Sequence, residues 1–282
     1  MFTYCRALES LDISSFNTTN VTDMSHMFAY CNKLKSLDVT HFNTENVTWM
    51  YNMFSGCSSL TSLDVSGFNT KKAMMMSSMF SSCSGLTNLD VSSISTESAT
   101  TLENMFAYCT NLKNLDVSHF NTEKVAYMNR MFQNCTSLES LDLTNFDTRK
   151  VQQMKEMFKG CQALETIYCN DDWNTSTVTA SENMFSGCTS LKGGKGTEYD
   201  GNIVDVSYAH PDATDAPGYF TATFQVGDVN KDGAITIADV TALVNIILGK
   251  TTDYDQRLAD VTGEGQVTIA DVKQLVSMVL GK

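Results

Sequence analysis

A methionine–phenylalanine pair begins at Met1, Met27, Met53, Met79, Met105, Met131, Met157 and Met184, a period of 26 residues broken by one step of 27. Cysteines follow in register at Cys5, Cys31, Cys57, Cys83, Cys109, Cys135, Cys161 and Cys188, then Leu-x-x-Leu-Asp-Val, then Phe-Asn-Thr. No other feature limits the fold as strongly. A unit this short cannot bury its own apolar surface, so successive units must stack into a solenoid whose core runs along the axis.

Inside the unit, "LKSLDV" from Leu34 to Val39 alternates. Leu37 and Val39 fall on one face and Ser36, Asp38 and Thr40 on the other, as in a half-buried strand. Val21, Met24, Met27 and Phe28 recur at three- and four-residue steps, which predicts a short helix capped by Thr18 or Asn17. The expected rung is one strand plus one helix, and about eight rungs of 26 residues make an α/β solenoid. Eight of the nine cysteines share one inward slot, and Cys169 stands where other units carry Ile13 or Val39. Side chains stacked in register meet at poor disulfide geometry, so buried thiols are expected. No Cys-x-x-Cys pair offers a zinc or redox site.

Met-Phe-x-x-Cys, Leu34-x-x-Leu37-x-Val39 and Phe-Asn-Thr together resemble the leucine-rich repeat of BspA-like bacterial surface proteins, over residues 1 to about 224. The resemblance implies export and a binding or adhesive role at the cell surface. Residues 1–191 would form the solenoid. In 192–225 the period stops, and this stretch would be a C-terminal cap or linker, with Tyr199, Tyr208, Tyr219 and Phe220 available to cover the last rung. Met1 occupies the repeat's own methionine slot, so the chain is read as starting in mid-unit, a piece of a longer exported protein with its signal peptide upstream.

Asp12, Asp38, Asp64, Asp90, Asp116 and Asp142 form an outward column. Like charges about 5 Å apart repel by roughly 0.8 kcal/mol per pair even at water's dielectric, so something must offset them. Either the flanking Ser and Thr hydroxyls and backbone amides do so, or the column is an acidic strip for cations or a basic ligand. Leucine-rich repeats bind through this face, so a host or glycan ligand is a further expectation. A net charge of −13 and a pI near 4.6 argue against nucleic acid and anionic membrane as partners. No apolar run of about 18 residues predicts membrane insertion. Without His-Glu-x-x-His, Gly-x-Ser-x-Gly, phosphate-loop or paired-carboxylate signatures, the chain is not expected to be an enzyme.

"DVNKDGAITIAD", Asp228 to Asp239, has a different logic. Oxygen donors stand at loop positions 1, 3 and 5 (Asp228, Asn230, Asp232), glycine at 6, a backbone carbonyl at 7 (Ala234) and Asp239 at 12. A hard cation takes six to eight such oxygens, and this spacing predicts a calcium loop. The plan returns 32 residues later in "DVTGEGQVTIAD", with Asp260, Thr262, Glu264, Gln266 and Asp271 at the same positions. Two Ca2+ sites are expected. The second departs from pattern, because Thr262 replaces an Asn or Asp and the extra methylene of Glu264 crowds the ion.

Two loops, each followed by one helix ending in Gly-Lys, resemble the type I dockerin over residues 226–282. The resemblance implies calcium-dependent binding to a cohesin-bearing scaffold or surface protein. It places recognition at loop positions 10 and 11, here Ile237, Ala238, Ile269 and Ala270. The alternative is a structural or adhesive solenoid whose calcium-stabilised tail meets no cohesin. A carrier for an enzyme lying upstream is a third reading.

Overall fold

The computed structural model describes every residue except 171–172, 214–215, 224–225, 231–234, 253 and 282. It divides into two compact units, Met1–Ala222 and Thr223–Lys282. In the first unit, parallel bridges join one slot of successive repeats, running Asp23, Trp49, Met75, Thr101, Tyr127, Gln153, Ala180.

The helix expected over Val21 to Phe28 does not form, so the α/β rung is corrected. Among the described residues of this unit the one helical stretch is the 3-10 turn Val206–Tyr208. Backbone bookkeeping explains why. Amides of Met50, Asn52, Phe54 and Gly56 donate to carbonyls of Met75, Ser77, Met79 and Ser81 in the next repeat, at 2.7–2.9 Å. Those of Met53, Ser55 and Cys57 close turns onto residues three back. An α-helix spends every amide on the carbonyl four residues earlier and leaves none to join neighbouring rungs.

These turns need left-handed backbone at Asn52 (φ 57°) and Gly56 (φ 75°), which Asn and Gly adopt at least cost. Such turns also return side chains inward at three- and four-residue steps, and Met50, Met53 and Phe54 are all fully buried. The apolar spacing therefore mimics that of a helix.

On the opposite side burial follows the alternation read from the sequence, but the strand expected over Leu34 to Val39 is corrected to extended chain without a ladder. Leu37 and Val39 are buried and Ser36, Asp38 and Thr40 exposed. Continuous pairing occurs in a parallel sheet of β1 (Ser140–Asp142), β2 (Thr166–Cys169) and β3 (Phe220–Ala222), in that order.

Between these sides runs a column of stacked rings. Phe28, Phe54, Phe80, Phe106, Phe132, Phe158 and Phe185 lie with centroids 5.5–5.9 Å apart. Burying each contributes about 1.5–3 kcal/mol. All nine cysteines are free thiols; eight are buried and Cys5 is half-buried. The thiols are more than apolar filler. Cys57 donates to the Phe28 carbonyl at 3.2 Å, Cys109 to Phe80 at 3.1 Å and Cys188 to Phe158 at 3.0 Å, one rung back each time. Burial pushes the thiols of Cys57, Cys109 and Cys188 up to about 12.

The threonine of Phe-Asn-Thr clamps neighbouring rungs together. Thr70 Oγ1 donates to the Ser95 carbonyl at 2.8 Å and accepts from the Ser95 amide at 2.7 Å. Thr18, Thr44 and Thr148 repeat both bonds on Asn43, Asn69 and Asn174.

At the end of the first unit, Tyr219 and Phe220 are fully buried and meet Phe185 edge-on, at 5.2 and 5.9 Å. Asp212 holds this segment in place. It accepts from the amides of Lys195 (2.8 Å), Thr197 (3.0 Å) and Gly218 (3.2 Å) and from the Thr197 hydroxyl (2.6 Å).

The second unit contains α1 (Ile237–Ile247), the short α2 (Gln256–Ala259) and α3 (Ile269–Val279). Val240, Leu243, Ile246, Ala259 and Leu275 form its core, flanked by Val229, Ile235, Val261 and Val267. No helix among the described residues is long and apolar enough to cross a membrane.

Candidate functional site

Both long helices start in the same way, because the last residue of each loop also caps a helix. Thr236 accepts from the Ala238 amide while Asp239 accepts from the Thr236 amide at 2.8 Å, a capping box. Thr268 and Asp271 build the same box on α3, with the amide bond at 2.7 Å. Ile237, Ala238, Ile269 and Ala270 thereby fall in the first turns of α1 and α3. Ile237 is 68% exposed and Ile269 63%, equivalent placements for equivalent residues. Ala238 is exposed and Ala270 half-buried.

Sequence reading missed a second matched pair. Leu248 and Leu280, at the C-caps of these helices, are each 61% exposed. The signal was available, since they are separated by the same 32 residues as the loops. Eleven residues of helix advance about 16 Å and turn to within about 20° of the starting direction, so Ile237 and Leu248 share one face of α1, as Ile269 and Leu280 do on α3.

In the first loop, Asp228 and Asp239 are buried and Asn230 exposed. Asp239 accepts from the Asn230 amide on one oxygen (3.0 Å) and from Thr236 on the other. Asp232 and Ala234 lie outside the described residues. The donor set is all oxygen, with an amide carbonyl at position 3 and carboxylates at positions 1, 5 and 12, which fits a hard divalent cation. The ion, when bound, would neutralise these carboxylates and tie the loop to the start of α1.

The second loop is described throughout. Asp260 accepts from the amides of Glu264 (3.0 Å) and Gly265 (2.6 Å). Asp271, fully buried, accepts on Oδ1 from both the amide and the hydroxyl of Thr262, each at 2.9 Å. Burial raises its carboxyl, but bonds from Thr268 and Thr262 outweigh this and hold it below the ordinary carboxylate value. Glu264 Oε1 accepts from the Thr268 hydroxyl at 2.8 Å. Gln266 is exposed. Among the described residues, no three acidic, histidine or cysteine side chains converge as a metal cluster.

On the first unit, each aspartate of the outward column closes its own turn. Asp12, Asp38, Asp64, Asp90, Asp116 and Asp142 accept the amide two residues on, from Ser14, Thr40, Ser66, Ser92, Ser118 and Thr144, at 2.9–3.0 Å. Bonds from these Ser and Thr residues hold the first five carboxyls below the ordinary value. For Asp64 they outweigh the repulsion from Asp38 and Asp90. An open groove of about 550 Å³ runs over Ser10, Asp12, Ser36, Asp38, Ser62 and Asp64. His41 and His119 place Nε2 3.0 Å from the carbonyls of Ile13 and Val91, one rung back, as parts of the stack.

The profile of a family described as "Mycoplasma protein of unknown function, DUF285" matches residues 1–114 and again 76–199. The chain belongs to the DUF285 family. Its C-terminal part is a dockerin type I domain, matched over residues 226–280. This DUF285 chain is similar over 70% of its length to a solved structure entitled "Functional domain of InlJ from Listeria monocytogenes includes a cysteine ladder", at 18% identity and a TM-score of 0.25. The match spans 48% of that InlJ chain. No curated protein matches this DUF285 member.

Proposed function

We propose that this is an exported, non-catalytic recognition protein of the bacterial cell surface, attached to a cohesin-bearing scaffold or surface protein through its dockerin. Residues 1–191 form the solenoid, 192–225 close it, and 226–282 attach it. The dockerin match over residues 226–280 carries the reading. It is supported by the paired exposure of Ile237 with Ile269 and of Leu248 with Leu280. Exposed apolar side chains recurring on one face of two helices are what a docking partner would cover. Ile237, Ala238, Ile269 and Ala270 would meet that partner directly.

Attachment depends on calcium. The ion is held in the first loop by Asp228, Asn230, Asp232, the carbonyl of Ala234 and Asp239, and it fixes the first turn of α1 where Ile237 stands. At free calcium about 1,000 times the dissociation constant, binding stabilises the unit by about 4 kcal/mol. A core as small as that of the second unit needs such a contribution.

The test is a pull-down with the full chain from surface proteins of the source bacterium, in calcium and in chelator. A cohesin-bearing partner that is retained in calcium and lost on chelation is expected. Capture that survives chelation, or no cohesin-bearing partner in calcium, would refute the reading. Ile237→Asp with Ile269→Asp should abolish capture while leaving α1 and α3 folded by circular dichroism.

A further inference from the structure

The two dockerin loops are alike in plan, and their position-12 carboxylates differ in the hydrogen bonds they accept. In the first, Asp239 Oδ1 accepts one bond, from the Asn230 amide, and so keeps a lone pair. In the second, Asp271 Oδ1 accepts two, because the hydroxyl of Thr262 donates beside the Thr262 amide. Asparagine at that position presents a carbonyl oxygen that could only accept, and threonine has substituted a proton donor aimed at the position-12 carboxylate. The lone pair a cation would take is filled from within.

Position 5 of the second loop is engaged as well. Thr268 has one hydroxyl proton and two carboxylates in reach, Glu264 at 2.8 Å and Asp271 at 3.3 Å, and the shorter contact takes it. Glu264 is exposed and bonded to the helix cap, so it does not converge with Asp260 and Asp271. What remains is Asp260, each of whose oxygens accepts one amide and keeps one lone pair, Asp271 Oδ2 and a neutral hydroxyl: two carboxylates, where the first loop's sequence offers three. With no three acidic side chains converging among the described residues, this falls short of the six to eight oxygens a calcium ion takes.

We propose that this dockerin is a one-calcium module: the first loop takes the ion, and the second is closed by Thr262–Asp271 and Thr268–Glu264 hydrogen bonds in its place. The inference rests on the calcium reading above for the first loop. It gives the two halves different dependence on the ion. Chelation releases the first turn of α1, with Ile237, and leaves the first turn of α3, with Ile269, in position.

Calorimetric titration of the demetallated full chain with Ca2+ tests this. One ion per chain is expected. Asp228→Asn should abolish binding, and the double variant Thr262→Asn with Glu264→Asp should raise the count to two by restoring in the second loop the residue types of the first. That gain cannot arise from misfolding, so it stands even if Asp228→Asn fails to fold. Two ions on the unmodified chain, or a double variant that still binds one, would overturn the proposal and leave the calcium reading intact. No ion at all would overturn both.

Discussion

If the threonine of each Phe-Asn-Thr is a clamp, replacing it with its apolar isostere must destabilise the solenoid even though more apolar surface is buried. Thr70 and Thr148 suit the test, being fully buried and each holding both backbone groups of the residue one rung on. They lie three repeats apart, about 14 Å, beyond the range at which substitutions couple. Valine at one site removes two hydrogen bonds with a net worth of about 0.5–1.5 kcal/mol each. Water can reach half-buried Ser95, so the larger penalty of a sealed, unsatisfied group does not apply there. The cost is about 1–3 kcal/mol per site, and about 2–6 kcal/mol for the Val pair. Serine keeps the hydroxyl and loses one methyl, about 0.8 kcal/mol per site. Both tryptophans, Trp49 and Trp173, belong to the first unit, so urea unfolding followed by their fluorescence reports on the solenoid alone. The midpoint should fall for the Val pair, with the slope unchanged, and fall less for the Ser pair. A Val pair as stable as the parent chain would show that the threonines fill space and that their hydrogen bonds add nothing.

Native alkylation monitored by mass spectrometry should add one label quickly, at half-buried Cys5, and the remaining eight only on unfolding; several fast adducts would contradict the buried ladder. The depressed carboxyls of Asp38, Asp64 and Asp90 contribute stability that is full above the unfolded value of about 3.9 and is lost as pH falls through the folded value, so the solenoid should weaken on acidification below about pH 4. Asparagine makes the same turn at Asn43, 3.0 Å from the Glu45 amide, so Asn at these three positions should flatten the acid limb, and an unchanged acid profile would refute the assignment. Asp212→Ala strands four donors around a buried carboxylate and should cost on the order of 3 kcal/mol, loosening Phe220 from its 4.9 Å edge contact with Trp173; unaltered Trp173 emission and stability would argue against a clasp there.

The solenoid was legible because its core slots repeat with their side chains unchanged: Met, Phe, Cys, Leu and Val return at fixed intervals, and burial follows them. The turn side was not, since two conformations place Met24, Met27 and Phe28 inward at the same spacing and apolar periodicity cannot separate them. The discriminating signal lay in the polar residues between. Asn52 with Gly56, and Asn183 with Gly187, sit at the two recurring left-handed positions, and a helix of eight residues disfavours two such poor helix formers four apart. The two dockerin loops could be found from oxygen spacing alone, but which hydroxyl donates to which carboxylate is a matter of geometry. Thr262 reads in the sequence as a weaker ligand, and in the structure it is a competitor for Asp271.

The same bookkeeping separates two kinds of outward residue on the solenoid. Residues that look most like a site by repetition, the aspartate column, recur because each rung needs the same turn, closed by the same amide. Identity from rung to rung is there a structural demand and carries no information about a ligand. The bridge column differs: its backbone pairs from rung to rung while its side chains change, with Thr101 buried beside Ser77 and Gln153 accepting from Asn129, but Trp49, Met75 and Tyr127 exposed by 46%, 40% and 38%. In a stacked fold, selection on stability writes sameness along the axis and selection on anything else must write difference, so the places where neighbouring rungs disagree while their backbones still pair are where a specific surface can be encoded.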